Sequence, residues 1–525
     1  MKKLTTLVIT ALCALTVSAQ DATVKVNTTK PGYKINKEIY GQFAEHLGSC
    51  IYGGLWVGKD SQIPNIDGYR KDVFNALKDL QIPVLRWPGG CFADDYHWRD
   101  GIGPQSQRPS LRNNNWGGTM EDNSFGTHEF LNLCEMLGCE PYISGNVGSG
   151  TVEEMVKWVE YMNSESGTPM AELRKKNGRE HAWNVKYFGI GNEAWGCGGN
   201  MRAEYYTDLF RRYSTYMRDY NPEKPLFLIA SGSNAGDASW TEVFMKNQNG
   251  RARGLSVHYY TVKDWDNHGS ATNFDAHSYY NTLALCRDIE PIIKLHSDVM
   301  DKYDPQKKVG LMADEWGTWW DEEPGTIKGH LYQQNTMRDA MVAALSLDIF
   351  HQHTDRLKMA NIAQVVNVLQ SMILTDQVGQ GHMVLTPTYY IFKMYKPFME
   401  ATNIPVDINC QTLDVLHDDQ KPAEGDNIKK LPVISCSAAK TQSGSLVIAL
   451  SNVSLEKKQE VAIDLDGYKA KTVTGSVLTS KKVADYNDFQ HPDVVKATDF
   501  KQAKLKGGKL TVTLPAMSTV VLELK

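Results

Sequence analysis

Between about Glu38 and Thr386 the chain repeats one pattern eight times: a short apolar run, then a longer stretch with helical spacing. The runs are EIYGQF (38–43), VLRWPG (84–89), PYISGN (141–146), VKYFGIG (185–191), LFLIAS (226–231), LSVHYY (255–260), VGLMAD (309–314) and LKMANIA (357–363). Continuous apolar runs of this kind read as strands covered on both faces, as in a parallel sheet packed by helices. Helical spacing falls at 71–80, 127–137, 202–219, 278–303 and 330–350. In TVEEMVKWVEYM, Val152, Met155, Val156 and Val159 share one face, and Thr151 with Glu154 predicts a capping box at its start. Eight such units close a (β/α)₈ barrel, and a segment of about 350 residues is within that fold's range. An open doubly wound sheet would place a glycine-rich phosphate turn after its first strand, and none is present there.

Beyond Pro387 the period changes to two. SLVIALSNV, EVAIDL, KTVTGSVL, KLTVTL and STVVLEL alternate and are separated by Gly, Ser, Asp and Pro turns, the pattern of an all-β sandwich. The polar stretch 417–430 reads as a loop, and ATVKVN near the amino terminus reads as a strand that returns to the sandwich. The expected class is therefore α/β, a (β/α)₈ barrel with a C-terminal sandwich that also takes the N-terminal strand. The expected divisions are a leader over 1–19, the joining strand over 20–36, the barrel over 37–386 and the sandwich over 387–525.

The leader is expected because Lys2 and Lys3 precede an apolar stretch from Leu4 to Val17 and then Ser18-Ala19, the order of a secretory signal peptide. The apolar run is shorter than the ~20 residues that span a bilayer, so cleavage near Ala19 and a secreted or periplasmic protein without a membrane span are expected. Of 56 Lys and Arg, removal of Lys2 and Lys3 leaves 54 against 61 Asp and Glu, which argues against nucleic acid as a partner. Removal of Cys13 leaves 8 of 9 cysteines, scattered and without a C-x-x-C pair. Cys134 and Cys139 are near enough in sequence for an exported protein to pair them, and buried thiols are the other reading. His351 and His353 lack the carboxylate or cysteine spacing of a metal site, and no cofactor is implied.

Two glutamates occupy matched positions. Glu193 ends KYFGIGNE, Glu315 ends LMADE, and each is followed within two residues by Trp. Each follows an apolar run directly, which places it on the carboxyl-terminal rim where barrels carry their chemistry. The 122 positions between them are about three strand–helix units, placing them at the ends of strands four and seven. Two carboxylates across a cleft are what glycoside hydrolysis requires: one protonated to give its proton to the leaving oxygen, one ionised to attack the anomeric carbon.

GNE after the fourth strand and a seventh-strand glutamate resemble the clan A glycoside hydrolases, with the first glutamate as acid/base and the second as nucleophile. The fuller set of motifs resembles glycoside hydrolase family 51, the α-L-arabinofuranosidases, over nearly the whole chain. The resemblance implies that Glu45 in YGQFAEHLG grips sugar hydroxyls, with Phe43 lining the same pocket. It implies that Arg86 in LRWPGGCFAD lies near the nucleophile, that Cys91 touches the arabinose and that Asn192 bonds the 2-hydroxyl. His258 and Tyr260 in LSVHYY are implied to hold the nucleophile region, and Trp116, Trp319 and Gln364 to complete the pocket. The family often has Asn after DEW, where this chain has Gly317.

The function expected is retaining, exo-acting hydrolysis of terminal α-L-arabinofuranosyl groups from plant arabinan, arabinoxylan or derived oligosaccharides. Resemblance also implies a trimer or hexamer. A β-glucanase or xylan-active enzyme of the same clan is the alternative, with an open tryptophan-lined groove in place of a one-sugar pocket. A glycan-binding protein on an inactive barrel is the third reading, and the presence of both glutamates argues against it.

Overall fold

The computed structural model describes residues 21–376, 379–416, 428–506 and 508–525; the leader and residues 417–427 of the polar stretch lie outside the described residues. After β1 (Ala22–Val26) come eight parallel strands: β2 (Gly41–Phe43), β3 (Val84–Trp87), β4 (Glu140–Gly145), β5 (Tyr187–Ile190), β6 (Phe227–Asn234), β7 (Gly254–Thr261), β8 (Gly310–Thr318) and β9 (Leu357–Ala363). β9 pairs with β2 through Asn361–Gly41 and Ala363–Phe43, which closes the barrel.

Side chains two apart on a strand share a face, and the barrel interior follows from this. Val84, Tyr142, Tyr187, Ile229, Met312 and Met359 pack together as one apolar layer. Two residues further toward the carboxyl ends, the same faces carry Arg86, Ser144, Asp314 and Asn361, all buried. The apolar layer thus floors a polar one, and the polar one faces the rim.

Helices fill the intervals, with boundaries set by local chemistry. The run 278–303 divides into Ala276–Cys286 and Ile289–Tyr303. Pro291 lacks an N–H and is tolerated only in a first turn, so it starts a new helix. The run 330–350 becomes helical only at Met337, where Thr336 and Asp339 form a complete capping box. At Thr151 only half of the expected box forms. Its hydroxyl accepts from the Glu154 N–H, but the Glu154 carboxylate lies 2.9 Å from His97 Nδ1 instead. Residues 37–40 form a 3₁₀ turn ahead of β2.

Most of the carboxyl-terminal strands form two sheets. One orders Val406–Cys410, β1, Gln459–Asp464, Lys509–Leu514 and Ala503–Lys506; the other contains Ile434–Lys440, Leu446–Asn452, Ser518–Leu524 and Val473–Thr479. The N-terminal strand therefore does return, antiparallel to 406–410 and parallel to 459–464. Residues 428–430, expected in a loop, begin the strand Ile428–Pro432. Barrel and sandwich are joined through helix Met337–Gln352. Its His351 is fixed by Tyr40 and Ser437, both at 2.8 Å, a core histidine whose pKa burial pushes down to about 3. Its Asp348 accepts from Ser435 Oγ at 2.6 Å and Tyr395 OH at 3.0 Å.

Candidate active site

Glu315 is not at the end of its strand but inside β8. Opposite β7 the register jumps, so that Val257 pairs with Ala313 and His258 with Glu315, leaving Asp314 as an extra residue. Such a bulge re-aims side chains. Alternation alone would turn Asp314 and Glu315 to opposite faces; here both reach inward. Asp314 accepts from Tyr142 OH at 2.6 Å and Glu315 Oε1 pairs with Arg86 Nη1 at 2.9 Å. Glu193 follows β5 by three residues and has φ +39°, a left-handed conformation that costs a non-glycine residue about 1–3 kcal/mol.

The two glutamates meet over His258. Its Nδ1 is 2.8 Å from Glu193 Oε1 and 3.7 Å from Glu315 Oε2, and one atom of each residue lies within 4.8 Å of the other two. Glu315 also accepts from Tyr260 OH at 2.7 Å. Burial alone would raise the Glu315 pKa, but His258, Arg86 and Tyr260 together outweigh it and hold the carboxyl below its usual range. For His258 burial acts downward, and the charges of Glu315 and Glu193 more than reverse it. Glu193 is the more open of the pair, its side chain 19% exposed against 8% for Glu315.

These groups floor a pocket of about 540 Å³ whose walls include Glu45, Cys91, Trp116, Trp195, Trp265, Trp319 and Gln364. Glu45 is buried and accepts from Trp116 Nε1 at 3.0 Å, the Phe92 N–H at 3.0 Å and Gln364 Nε2 at 3.1 Å. Burial, and then the charge of Glu315, push its carboxyl up to about 7. The Trp319 ring stands edge-on to Tyr260 at 5.1 Å.

Three of the expected contact residues lie behind the wall. Arg86 bonds both Glu315 and Asn192 Oδ1, the latter at 2.5 Å. Asn192 Nδ2 has no hydrogen-bond partner among the described residues. Phe43 does not line the pocket; it is fully buried, its ring 4.4 Å from the Arg86 guanidinium carbon. Cys91 is on the wall but offers no thiol, because it is bonded to Cys197. Of the two readings of Cys134 and Cys139, the buried thiols are the one found: both are free and buried. Cys197 stands in the same GNEAWGCGG segment as Glu193, a proximity that could have flagged it. Trp195 was likewise readable from that motif, whereas Trp265 and Leu331 come from loops without a motif. Gly317 has φ +134°, and an added Cβ would stand 3.2 Å from Gln370 Cβ; the backbone here suits glycine.

Comparison with known proteins bears on the chain as a whole. Residues 76–287 match the model of the α-L-arabinofuranosidase 1 domain, and residues 314–518 that of the α-L-arabinofuranosidase C-terminal domain. An intracellular exo-α-L-arabinofuranosidase of Bacteroides ovatus is 60% identical over 99% of both chains. The crystal structure of the GH51 arabinofuranosidase from Xanthomonas axonopodis pv. citri superposes with TM-score 0.92 at 45% identity, covering 97% of this chain and 100% of that one. The chain belongs to glycoside hydrolase family 51, the α-L-arabinofuranosidases. A family member from Thermotoga maritima, solved as an arabinose complex, has TM-score 0.82 at 30% identity and covers 96% of this chain and 99% of its own.

The same comparison corrects the expected location. The Bacteroides arabinofuranosidase, aligned end to end with this chain, is named intracellular, which overturns a secreted or periplasmic protein. Two lysines before a short apolar run meet the compositional pattern of a leader.

Proposed function

We propose that this arabinofuranosidase removes terminal α-L-arabinofuranosyl groups by double displacement, with Glu315 as nucleophile and Glu193 as acid/base. The observation that carries the reading is the Glu193–His258–Glu315 cluster, with one carboxylate oxygen from each glutamate inside a 4.8 Å group. Such closeness fits the roughly 5–5.5 Å between carboxyls of retaining enzymes and not the roughly 6.5–9.5 Å of inverting ones.

In the first step a Glu315 oxygen bonds to the anomeric carbon as the glycosidic bond breaks, and Glu193 gives its proton to the departing oxygen. In the second step Glu193 takes a proton from water, whose oxygen displaces Glu315 and frees arabinose. Arg86 and Tyr260 keep Glu315 ionised and aimed. On the pocket wall, the Glu45 carboxyl and Gln364 Oε1, the latter without a hydrogen-bond partner among the described residues, are the polar groups proposed to meet sugar hydroxyls. Inside a cell the enzyme meets oligosaccharides already cut from arabinan or arabinoxylan, so short chains are the proposed substrates. The resemblance-based trimer or hexamer is carried forward as a proposal that light scattering can test.

The deciding experiment is hydrolysis of a panel of aryl glycosides, followed by NMR of the first-formed sugar. The α-L-arabinofuranoside should be the best substrate and release the α anomer first. Faster cleavage of the β-xyloside or β-glucoside would overturn the substrate, and first release of the β anomer would overturn the mechanism.

A further inference from the structure

The left-handed backbone of Glu193 persists only where its surroundings over-determine it, and one side chain supplies much of that constraint. Asp94 closes the 3₁₀ turn Cys91–Asp94 that follows β3. Its Oδ2 accepts from the Asn192 N–H at 2.9 Å, immediately before Glu193. Its Oδ1 accepts from the Val147 and Gly148 N–H groups at 2.7 and 2.9 Å, in the turn after β4. One buried carboxylate therefore ties three rim turns together. On the other side of Glu193, the Ala194 N–H donates to Ser231 Oγ at 3.1 Å. The Cys91–Cys197 disulfide joins two of the same turns.

The enclosure is tight. A Cβ on Gly198 would stand 1.7 Å from the Asn192 carbonyl oxygen and 2.9 Å from Asp94 Oδ2. No salt bridge to Asp94 occurs among the described residues, and Asp94 does not line the pocket. Burial outweighs its three N–H donors and pushes the carboxyl up to about 7. A carboxylate buried without an ionic partner is costly, and nothing in the two displacement steps gives it a contact with the sugar.

We infer that Asp94 is a positioning residue for proton transfer: by fixing the Asn192 N–H it sets the turn of Glu193, and with it the place of the Glu193 carboxyl against the departing oxygen. The inference rests on Glu193 being the acid/base. Glu315 takes its bonds directly from Arg86 and Tyr260; Arg86 also reaches Asn192, but through its side-chain Oδ1 and not through the N–H that Asp94 fixes, so disturbing Asp94 weakens protonation more than attack. Misplacement of a catalytic group by about 1 Å can cost about 10²-fold, and a general acid contributes about 10²–10⁴-fold.

The test is kcat/KM of Asp94→Asn for aryl arabinofuranosides of graded leaving-group acidity, with Glu193→Ala measured alongside. The amide keeps the shape of the carboxylate but cannot accept from all three N–H groups. For 2,4-dinitrophenyl arabinofuranoside, which departs without a proton, the loss should stay under about 3-fold; for 4-methylphenyl arabinofuranoside it should reach about 30- to 100-fold. A loss independent of the leaving group, or no loss, while Glu193→Ala shows the dependence, overturns the positioning role and leaves the acid/base reading standing. Absence of the dependence in Glu193→Ala overturns both. If Asp94→Asn does not fold, Ser231→Ala frees the other flank and should show the same graded loss, about 10-fold at its largest; a flat loss or none there overturns the inference equally.

Discussion

Replacing Arg86 with Met removes the charge that holds Glu315, the proposed nucleophile, while keeping most of the side-chain volume. Arg86 is 2% exposed and 2.9 Å from Glu315, so solvent screens little of the interaction. An opposite charge at this range lowers a carboxyl pKa by about 1–3 units. Without it the Glu315 carboxyl rises, and the acidic limb of kcat/KM, which requires Glu315 ionised, should move to higher pH. Stability follows with a definite sign. The Glu315 pKa is depressed in the folded protein, so its stabilisation is present above the ordinary carboxyl pKa and is lost as pH falls through the folded value. In the Met variant the Arg86 share of that contribution is gone and the buried carboxylate keeps only His258 and Tyr260, at a cost of up to about 3–5 kcal/mol near neutral pH. The gap in melting temperature between wild type and Arg86→Met should therefore widen from about pH 4 toward pH 7. The assay is kcat/KM on an aryl arabinofuranoside across pH, with thermal melts on the same samples. An unmoved acidic limb in a folded variant would refute the account and leave Arg86 a purely structural cation.

Glu315→Ala should abolish turnover, whereas Glu193→Ala should keep measurable glycosylation of substrates with acidic leaving groups and recover turnover with azide, seen as an arabinosyl azide product by mass spectrometry. Asp348 is raised to about 7, chiefly by burial, so relative to the unfolded chain it penalises folding increasingly from about pH 4 to pH 7 and constantly above. Asp348→Asn should accordingly gain in melting temperature relative to wild type across that window, and a gap that does not change with pH would contradict the assignment. Gly317→Asn, which restores the residue often found in the family, should lower stability by about 1–3 kcal/mol in denaturant melts, because φ is +134° at this position.

Much of the fold is legible from one residue property, apolar periodicity. Each barrel strand coincides with an apolar run to within a few residues, because a strand covered on both faces is apolar along most of its length. Helix ends were less legible where a cap or a proline decides them, as at Thr336 and Pro291. The site divides in the same way. Glu193 and Glu315 announce themselves by following such runs. Phe43 and Cys91 do not show in sequence that one backs Arg86 and the other is bonded to Cys197, since both facts depend on partners at least 43 and 106 positions away.

Sequence by itself determined the eight-unit barrel, the sandwich and the singling out of Glu193 and Glu315 where apolar runs break, because periodicity and its interruption are local properties. Tertiary structure alone decided that Asp314 and Glu315 both turn inward, through a register shift that arises against both neighbouring strands, β7 and β9. It also decided that His258 spans the two carboxylates and that Asp94 secures the turn of one of them. Register and hydrogen-bond partnership are relations between distant segments, and they come into being when the barrel closes.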